Sequence, residues 1–162
     1  MAAEAQTQLF YEDVEVGQQI TPLVKGPMTT LHLMRWSAAI ENWHRIHYDR
    51  PYAVDHDTLP DVIVAGSWKQ QVLVQMLKDW CGAGGWLWKV RYQFRAIDPV
   101  GATLTCWGQI TDKYVRDGLG FIECDIGMRN QDDQETTPGN AVVVLPLRGG
   151  RPVPYPFVAP HD

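Results

Sequence analysis

The spacing of apolar residues divides the chain into a helical first half and an extended second half. Gln19 to Val24 is predicted as an extended segment before the helices. Apolar residues recur at three- and four-residue intervals over 33–40 and again over 72–80, which predicts two helices. Apolar and polar residues then alternate from Trp86 to Arg95, which predicts a strand with one buried face.

Turn signals separate the remaining strands. Arg116-Asp117-Gly118 is typical of a tight hairpin, so 103–113 and 120–128 are predicted as paired strands. Residues 130–139 are polar and rich in turn formers, and 140–147 form the last predicted strand. The predicted order is one strand, two helices and four strands.

The second helix has the wider apolar stripe. In the first helix Leu33, Trp36 and Ile40 share one face. The second helix opens at Gly66-Ser67, where Ser67 and Gln70 have the spacing of a capping box, and Gly82 suits its end. Its stripe comprises Val72, Leu73, Met76, Leu77 and Trp80. Such a helix needs cover on several sides, so we expect an α+β fold in which an antiparallel sheet wraps this central helix.

Length and composition fit a single globular domain. With 162 residues the chain is long enough for one core, and we expect a flexible N-terminus over 1–9, one domain over 10–150 and a proline-rich tail over 151–162. The formal net charge of −5 argues against nucleic acid as a partner, because phosphate binding needs a basic face.

The sequence shows no pattern typical of a membrane span, a signal peptide or a disulfide framework. No apolar run approaches the roughly 20 residues that cross a bilayer, and the first residues lack the basic and apolar regions of a signal peptide, so we expect no membrane partner and a cytoplasmic location. Cys81, Cys106 and Cys124 are widely spaced, which favours buried, reduced thiols over disulfides or a zinc site.

The chemistry is concentrated between Glu41 and Asp49. These nine residues hold two imidazoles, two carboxylates, an amide and a guanidinium, interleaved with Trp43, Ile46 and Tyr48. A solvated loop does not need those apolar side chains, and a core segment would not tolerate so many polar groups unless each were paired. The pattern is typical of a half-buried active site.

Five motifs together resemble a known family. They are Tyr11-Glu-Asp-Val-Glu-Val-Gly17, Pro27-Met-Thr29, Asn42-Trp-His-Arg-Ile-His-Tyr-Asp49, Tyr52-Ala53 and Ala65-Gly66. They are similar to motifs of the MaoC-type hydratases and dehydratases, hot-dog proteins that act on acyl thioesters. The sequence around His47 is most similar to the branch that contains 3-hydroxyacyl-thioester dehydratases and mesaconyl-CoA hydratases. The similarity extends over about residues 10–147 and includes the Asp98-Pro-Val-Gly101 turn.

The resemblance implies a long sheet around a central helix and a substrate carried on coenzyme A or an acyl carrier. It also implies a homodimer or higher homo-oligomer, with a heterodimer as the alternative, and chemistry without a metal or cofactor. Three positions depart from the family pattern. Asn42 replaces the family aspartate five residues before His47, Ala65 replaces the histidine before Gly66, and Val74 replaces a hydroxyl on the central helix.

Hydration of an enoyl thioester needs a base for water, a proton for the α-carbon and donors for the thioester oxygen. His47 suits the acid–base role because its ordinary pKa lies near working pH. Asn42 can position water or substrate. The backbone N–H of Gly66, at the start of a helix, suits the oxyanion role. We expect five further residues to line the substrate site: Trp43, His44, Asp49, Ala65 and Ser67.

Each assignment has a structural alternative. His47 could only cap the helix or bond a backbone carbonyl, Asn42 could be a helix C-cap, and Gly66 could serve close packing. Asp49 could orient His47 or share its proton. His44 could support the site, and Arg45 more often pairs with a surface carboxylate.

Residues outside this segment are better explained by structure than by ligands. Asp55-His56-Asp57 fits a polar loop better than a metal site. Trp86 and Trp88 fit a core or dimer contact better than a ligand platform. Four basic residues could meet coenzyme A phosphates, although a solvated face explains them better: Lys69, Lys89, Arg91 and Arg95.

Three functions are compatible with the sequence. The first is an acyl-thioester hydratase or dehydratase that interconverts 2-enoyl and 3-hydroxyacyl thioesters. The second is a divergent hot-dog enzyme of specialised metabolism that dehydrates, isomerises or cyclises a non-thioester. The third is a non-catalytic partner subunit of a heteromeric hydratase. Retention of His47 favours an enzyme, whereas loss of the carboxylate at Asn42 favours the partner subunit.

Overall fold

A five-stranded antiparallel sheet wraps one long helix. The structure is a computed structural model, and it describes residues 8–160. The helices are α1 (Thr30–Ala39) and α2 (Gly66–Cys81), and the strands are β1 (Gln19–Lys25), β2 (Trp86–Tyr92), β3 (Leu104–Arg116), β4 (Leu119–Arg129) and β5 (Glu135–Pro146). Short 3-10 turns at Tyr11–Asp13 and Arg45–His47 and a π-helical turn at Tyr52–His56 complete the set. The predicted α+β hot-dog fold and its element order are confirmed.

The strand order is β1-β3-β4-β5-β2, with antiparallel pairing throughout, so β1 and β2 are the edge strands. β3 and β4 form the predicted hairpin, in which Asp117 and Gly118 both have positive φ, at 52° and 70°. Positive φ at both central residues is the geometry that an Asp-Gly turn supplies at low cost.

α2 fills the concave face of the sheet. Val72, Leu73, Met76 and Leu77 are buried against inward-facing sheet residues such as Ile122 and Ile126. Leu73 and Leu77 are fully buried, and full burial of a leucine stabilises a fold by about 1.5–3 kcal/mol. Gly82 ends the helix at a positive φ of 68°, as predicted.

Three details of the predicted elements are wrong. β5 begins at Glu135, because the polar segment before Asn140 pairs with β4 and places Thr136 and Thr137 in buried positions. Ile40 is exposed, and Ser37 takes its place on the buried face of α1. Ser67 does not cap α2, whose N-cap is Ala65 without a side-chain cap.

The two ends of the described chain pack on the domain. Seven residues of the predicted flexible N-terminus lie outside the described residues, whereas Gln8 accepts a hydrogen bond from Gly84 N–H at 2.8 Å. The proline-rich tail has no regular secondary structure, and its Phe157 contacts the rings of Trp86 and Trp88 on the convex face of the sheet.

The three cysteines are buried and unpaired, as predicted. Burial raises the pKa of Cys81 to about 11 and the pKa values of Cys106 and Cys124 to about 12. Over residues 8–160, none of the helices is both long and apolar enough to cross a membrane.

Candidate active site

His47 lies at the end of a 3-10 turn that follows α1, and it is 8% exposed. Its Nδ1 lies 2.8 Å from the carbonyl oxygen of Ile63. A carbonyl can only accept, so Nδ1 carries the proton and the neutral ring leaves Nε2 as its basic nitrogen. Nε2 has no hydrogen-bond partner within residues 8–160.

The surroundings keep this imidazole neutral. Burial lowers the pKa of His47 below its ordinary value of 6.5, and the electrostatic interaction with His44 lowers it further. The hydrogen bond to Ile63 opposes this shift without reversing it. The two imidazole rings lie 6.0 Å apart between centroids. At neutral pH the site therefore holds an unprotonated Nε2.

The extended residues before α2 connect His47 to the start of that helix. Ile63, whose carbonyl holds the imidazole, also donates its N–H to Ile46 O at 3.0 Å. Ala65 is extended, with φ −67° and ψ 136°, and α2 begins at Gly66, three residues after Ile63. The N–H groups of Gly66 and Ser67 have no acceptor among the described residues, as expected at a helix N-terminus. They are donors at the positive end of the helix dipole.

Asn42 has a local structural role. The C-cap of α1 is Ile40, so the helix C-cap alternative for Asn42 is wrong. Its Oδ1 accepts a hydrogen bond from the backbone N–H of His44 at 3.2 Å, and its own N–H donates to Ser37 O at 2.9 Å. These bonds shape the turn between α1 and His47 and leave the amide nitrogen of Asn42 as a donor.

Asp49 neither orients His47 nor shares its proton, because the Ile63 carbonyl orients the ring. Asp49 Oδ2 instead accepts hydrogen bonds from Arg45 at 2.8 and 2.6 Å, and its Oδ1 accepts the N–H of Tyr52. These bonds hold the pKa of Asp49 below its usual range, so the carboxylate stays ionised. The expectation that Arg45 pairs with a carboxylate is confirmed.

Other predicted lining residues differ in placement. Trp43 is 62% exposed, and its carbonyl accepts the Tyr48 hydroxyl at 2.7 Å. His44 is exposed next to His47. Ala65 is buried, and the hydroxyl of Ser67 accepts a hydrogen bond from Trp36 Nε1 at 3.0 Å.

Two cavities flank the start of α2. One, of about 510 Å³, is lined by Phe94, Arg95, Ala96, Ile97 and Gln134. The ring of Phe94 lies against Gly66, where an added Cβ would be 2.6 Å from Cε2 of that ring. The other, of about 280 Å³, is lined by His32, Arg35, Trp36, Ala39 and Trp68. Each cavity therefore has one lining residue in or against the first turn of α2, Phe94 in one and Trp68 in the other.

A buried ion pair beside the site was missed by sequence reasoning. Lys69 is 2% exposed, and its ammonium contacts the carboxylate of Asp98 and donates to Ala96 O at 3.0 Å. Thr136 Oγ1 donates to the same carboxylate at 2.9 Å. The assignment of Lys69 to a solvated face is therefore wrong. One signal in the sequence could have indicated burial. Lys69 lies on the apolar stripe of α2, three residues before Val72 and four before Leu73.

Within the described part of the chain, no cluster of three or more histidine, cysteine or acidic residues could hold a metal ion. In the Asp55-His56-Asp57 segment, His56 Nδ1 lies 2.7 Å from Asp57 Oδ1, and the ring of His56 stacks on Tyr52. Local pairing accounts for the polarity of this segment.

The family of the chain follows from comparison of its sequence with family models. The model of hydroxyacyl-thioester dehydratase type 2 matches residues 5–102, which is more than half of the chain and includes both His47 and the start of α2. The chain belongs to this family. This confirms the resemblance to the MaoC-like hydratases and dehydratases. A search of curated protein sequences gives no significant match.

Solved structures share the fold. The R-hydratase PhaJ1 from Pseudomonas aeruginosa superposes with a TM-score of 0.76 at 17% identity, with 96% of each chain covered. The (R)-hydratase from A. caviae involved in PHA biosynthesis gives 0.73 at 22% identity, covering 83% of this chain and 99% of that one. The ChsH1-ChsH2 complex from Mycobacterium tuberculosis gives 0.70 at 19% identity, covering 81% and 98%.

Proposed function

We propose that this member of the hydroxyacyl-thioester dehydratase family is a hydro-lyase that interconverts 2-enoyl and 3-hydroxyacyl thioesters. The observation that carries the proposal is the pairing of a neutral imidazole with free helix N–H groups. His47 Nδ1 is held by Ile63 O, and Gly66 follows three residues later in the same extended segment. Acid–base chemistry next to a thioester oxygen needs these two elements together.

In the hydration direction, Nε2 of His47 removes a proton from water as the water oxygen bonds to the β-carbon. Charge then develops on the thioester oxygen, where the N–H of Gly66 stabilises it. The imidazolium returns the proton to the α-carbon, which gives the 3-hydroxyacyl thioester. Dehydration is the reverse sequence, so no proton or electron is left over.

Asn42 requires that one residue handles both proton transfers. Its amide cannot take up or release a proton at neutral pH, although its Nδ2 can donate a hydrogen bond to water or to a 3-hydroxyl group. The ionised Asp49 is held by Arg45 and cannot act as the acid. We therefore assign His47 as the acid–base residue, Asn42 as a positioning residue and Gly66 as the oxyanion donor.

Two cavities near the start of α2 offer room for a substrate. One is lined by Phe94, which contacts Gly66, and the other by Trp68 of the first turn of α2. Their aromatic walls suit an acyl chain, and the basic side chains of Arg35 and Arg95 suit a charged carrier arm. Trp43, His44, Ala65 and Ser67 lie in or next to the segments that carry His47 and Gly66, and we retain them as the lining of the site. The carrier is coenzyme A or an acyl carrier protein.

A second copy of the chain could bind along the edge strand β2. This edge strand has one side unpaired within residues 8–160, and an unpaired edge strand is a template for another strand. We propose a homodimer formed by this edge. A heteromeric partner is the alternative, and mass measurement by light scattering separates the two from a single chain.

The deciding experiment follows the loss of enoyl-thioester absorbance when the purified protein meets crotonyl-CoA and longer or branched homologues. His47→Ala should lower kcat/KM by about 10²–10⁴-fold, the usual contribution of a general acid–base group. His56→Ala, which removes an exposed imidazole that pairs with Asp57 outside the candidate site, is the matched control and should keep most of the activity.

An active His47→Ala variant would refute the site assignment. No turnover by the wild-type protein with any acyl chain would refute the hydratase proposal. Copurification with a catalytic partner would then favour the non-catalytic subunit, and turnover of a non-thioester would favour a divergent enzyme.

A further inference from the structure

The ion pair between Lys69 and Asp98 lies one helical turn after Gly66. Its two side chains are 3% and 0% exposed. The ammonium is held by the carboxylate and by Ala96 O, and Thr136 Oγ1 holds the same carboxylate oxygen, Oδ2. The other oxygen, Oδ1, is buried without a hydrogen-bond partner within residues 8–160. Lys69 is therefore the main counter-ion of the buried Asp98 carboxylate.

Stability does not account for this pair. A lysine in the first turn of a helix meets the dipole with the wrong sign. Two buried charges lose their hydration, and apolar residues of similar volume often stabilise a fold at least as well. Lys69 occupies the apolar stripe of α2, where a methionine or leucine would pack without that penalty.

The pair instead connects the two halves of the site. Asp98 accepts the N–H of Val64 through its backbone oxygen at 2.8 Å, next to Ile63, whose carbonyl holds His47. Through its carboxylate, Asp98 also holds Lys69, which belongs to the same helical turn as Gly66. A continuous path of bonds thus runs from the imidazole to the helix N-terminus.

We propose that Lys69 and Asp98 are positioning residues that fix the start of α2 relative to the imidazole of His47. The expected change in kcat rests on the proposed function, whereas the expected change in the tautomer of His47 does not. Neither side chain touches the substrate. A displacement of about 1 Å between an oxyanion donor and an acid–base group can reduce the rate by roughly 10²-fold, so a rigid connection between the two has a catalytic effect.

The decisive variant removes both charges at once. Lys69→Met alone leaves the Asp98 carboxylate buried with only Thr136, so this variant is at risk of unfolding. Lys69→Met combined with Asp98→Asn preserves the volumes and retains an acceptor for Thr136. Lys78→Met, an exposed lysine in the last turn of the same helix, is the matched control.

Two readouts separate positioning from a purely structural role. In the double variant kcat should fall about 10- to 100-fold with KM within about threefold, while the thermal midpoint stays near that of the wild type. In ¹⁵N NMR of the imidazole, the wild type should show His47 in the single form protonated at Nδ1, and the double variant should show a mixture of both tautomers. The Lys78→Met variant should match the wild type in both.

Either of two results would overturn the proposal. One is a folded double variant with wild-type kcat, and the other is an unchanged His47 ¹⁵N spectrum. If the wild-type protein itself shows no turnover, the proposed function fails. The ¹⁵N spectrum then still decides whether the pair positions His47.

Discussion

At the residue scale, the proposed mechanism gives both proton transfers to one imidazole. The backbone carbonyl of Ile63 fixes the tautomer of His47, a role that many histidine sites give to a carboxylate. Burial and the nearby His44 lower the pKa of the ring below 6.5. A neutral imidazole is the form that the proposed base role requires.

The pH dependence of activity follows from the direction of that shift. Only neutral His47 accepts the proton from water, so kcat/KM for hydration should fall on the acid side with a midpoint below 6.5. His44→Gln removes the electrostatic interaction that lowers the pKa of His47, so it should move this midpoint to higher pH. Rates measured from pH 4.5 to 8.5 test both statements.

His56→Gln is the control for this pH profile, because His56 pairs with Asp57 and is not among the groups that shift His47. If the acid midpoint of the pH–rate profile is unchanged in His44→Gln, the fall in rate at low pH is due to a group other than His47.

Asn42 allows a direct test of how the family carboxylate would act here. Asn42→Asp keeps an acceptor for the N–H of His44, so the turn should remain intact. It adds a second proton-transfer group and should keep or raise hydratase activity. Asn42→Ala loses the acceptor and should destabilise the protein by about 1 kcal/mol, measured by urea unfolding. A loss of activity in Asn42→Asp with the fold intact would place Asn42 away from the family acid position.

At the element scale, the start of α2 combines a free N–H with close contact to Phe94. Gly66→Pro removes this N–H at the first helical position, where proline is well tolerated, and Ala65 already has the extended conformation that proline requires. Gly66→Ala crowds the Phe94 ring in the same way but retains the N–H. Gly66→Pro should therefore show a kcat about 10²–10³-fold below that of Gly66→Ala in steady-state assays.

Equal kcat values for the proline and alanine variants would exclude this N–H from the oxyanion role. The half-exposed Phe94 ring can turn away from an added Cβ, so both variants should fold.

The sequence was informative where one physical signal dominated. The apolar stripe of α2 and the Asp-Gly hairpin each depend on local spacing, and both elements were predicted. The first half of β5 was missed because Thr136 and Thr137 are polar yet buried by pairing with β4. The Ser67 cap was wrong because Trp36, distant in sequence, binds the hydroxyl.

The sequence indicates which segments carry the candidate site, but not the contacts that connect them. The cluster of polar residues around His47 and the glycine that starts α2 can be found by inspection. The groups that connect them cannot, because Ile63 contributes only its carbonyl and Asp98 belongs to a distant turn. Asp49 has the right chemistry to orient His47, and only the structure shows that Arg45 holds it.

At the scale of the whole molecule, the tail covers the convex face of the sheet. The outer-face cluster comprises Leu119, Phe121 and Val144, with Trp86, Trp88, Tyr114, Val142, Val153 and Phe157 packed against them. Phe157 lies 6.0 and 5.9 Å from the rings of Trp86 and Trp88, between centroids. The cluster is separate from the site on the concave side.

Truncation of this tail contact should affect stability and not catalysis. Phe157→Ala should lower the free energy of unfolding by about 1 kcal/mol, since the ring is half-buried, and should leave kcat unchanged. Val158→Ala, at a residue that is 66% exposed, should have almost no effect. Urea unfolding followed by tryptophan fluorescence tests the difference. Equal stability of the two variants would show that the tail is not held by Phe157.

The three buried thiols have a use that is independent of catalysis. With pKa values of about 11 and 12, they hold almost no thiolate at neutral pH, and thiolate is the form that alkylating reagents attack. Modification therefore waits for the chain to open. Cys81 is on α2, whereas Cys106 and Cys124 are on β3 and β4. The labelling rate of Cys81 thus measures how often α2 separates from the sheet. The labelling rates of Cys106 and Cys124 measure how often β3 and β4 open.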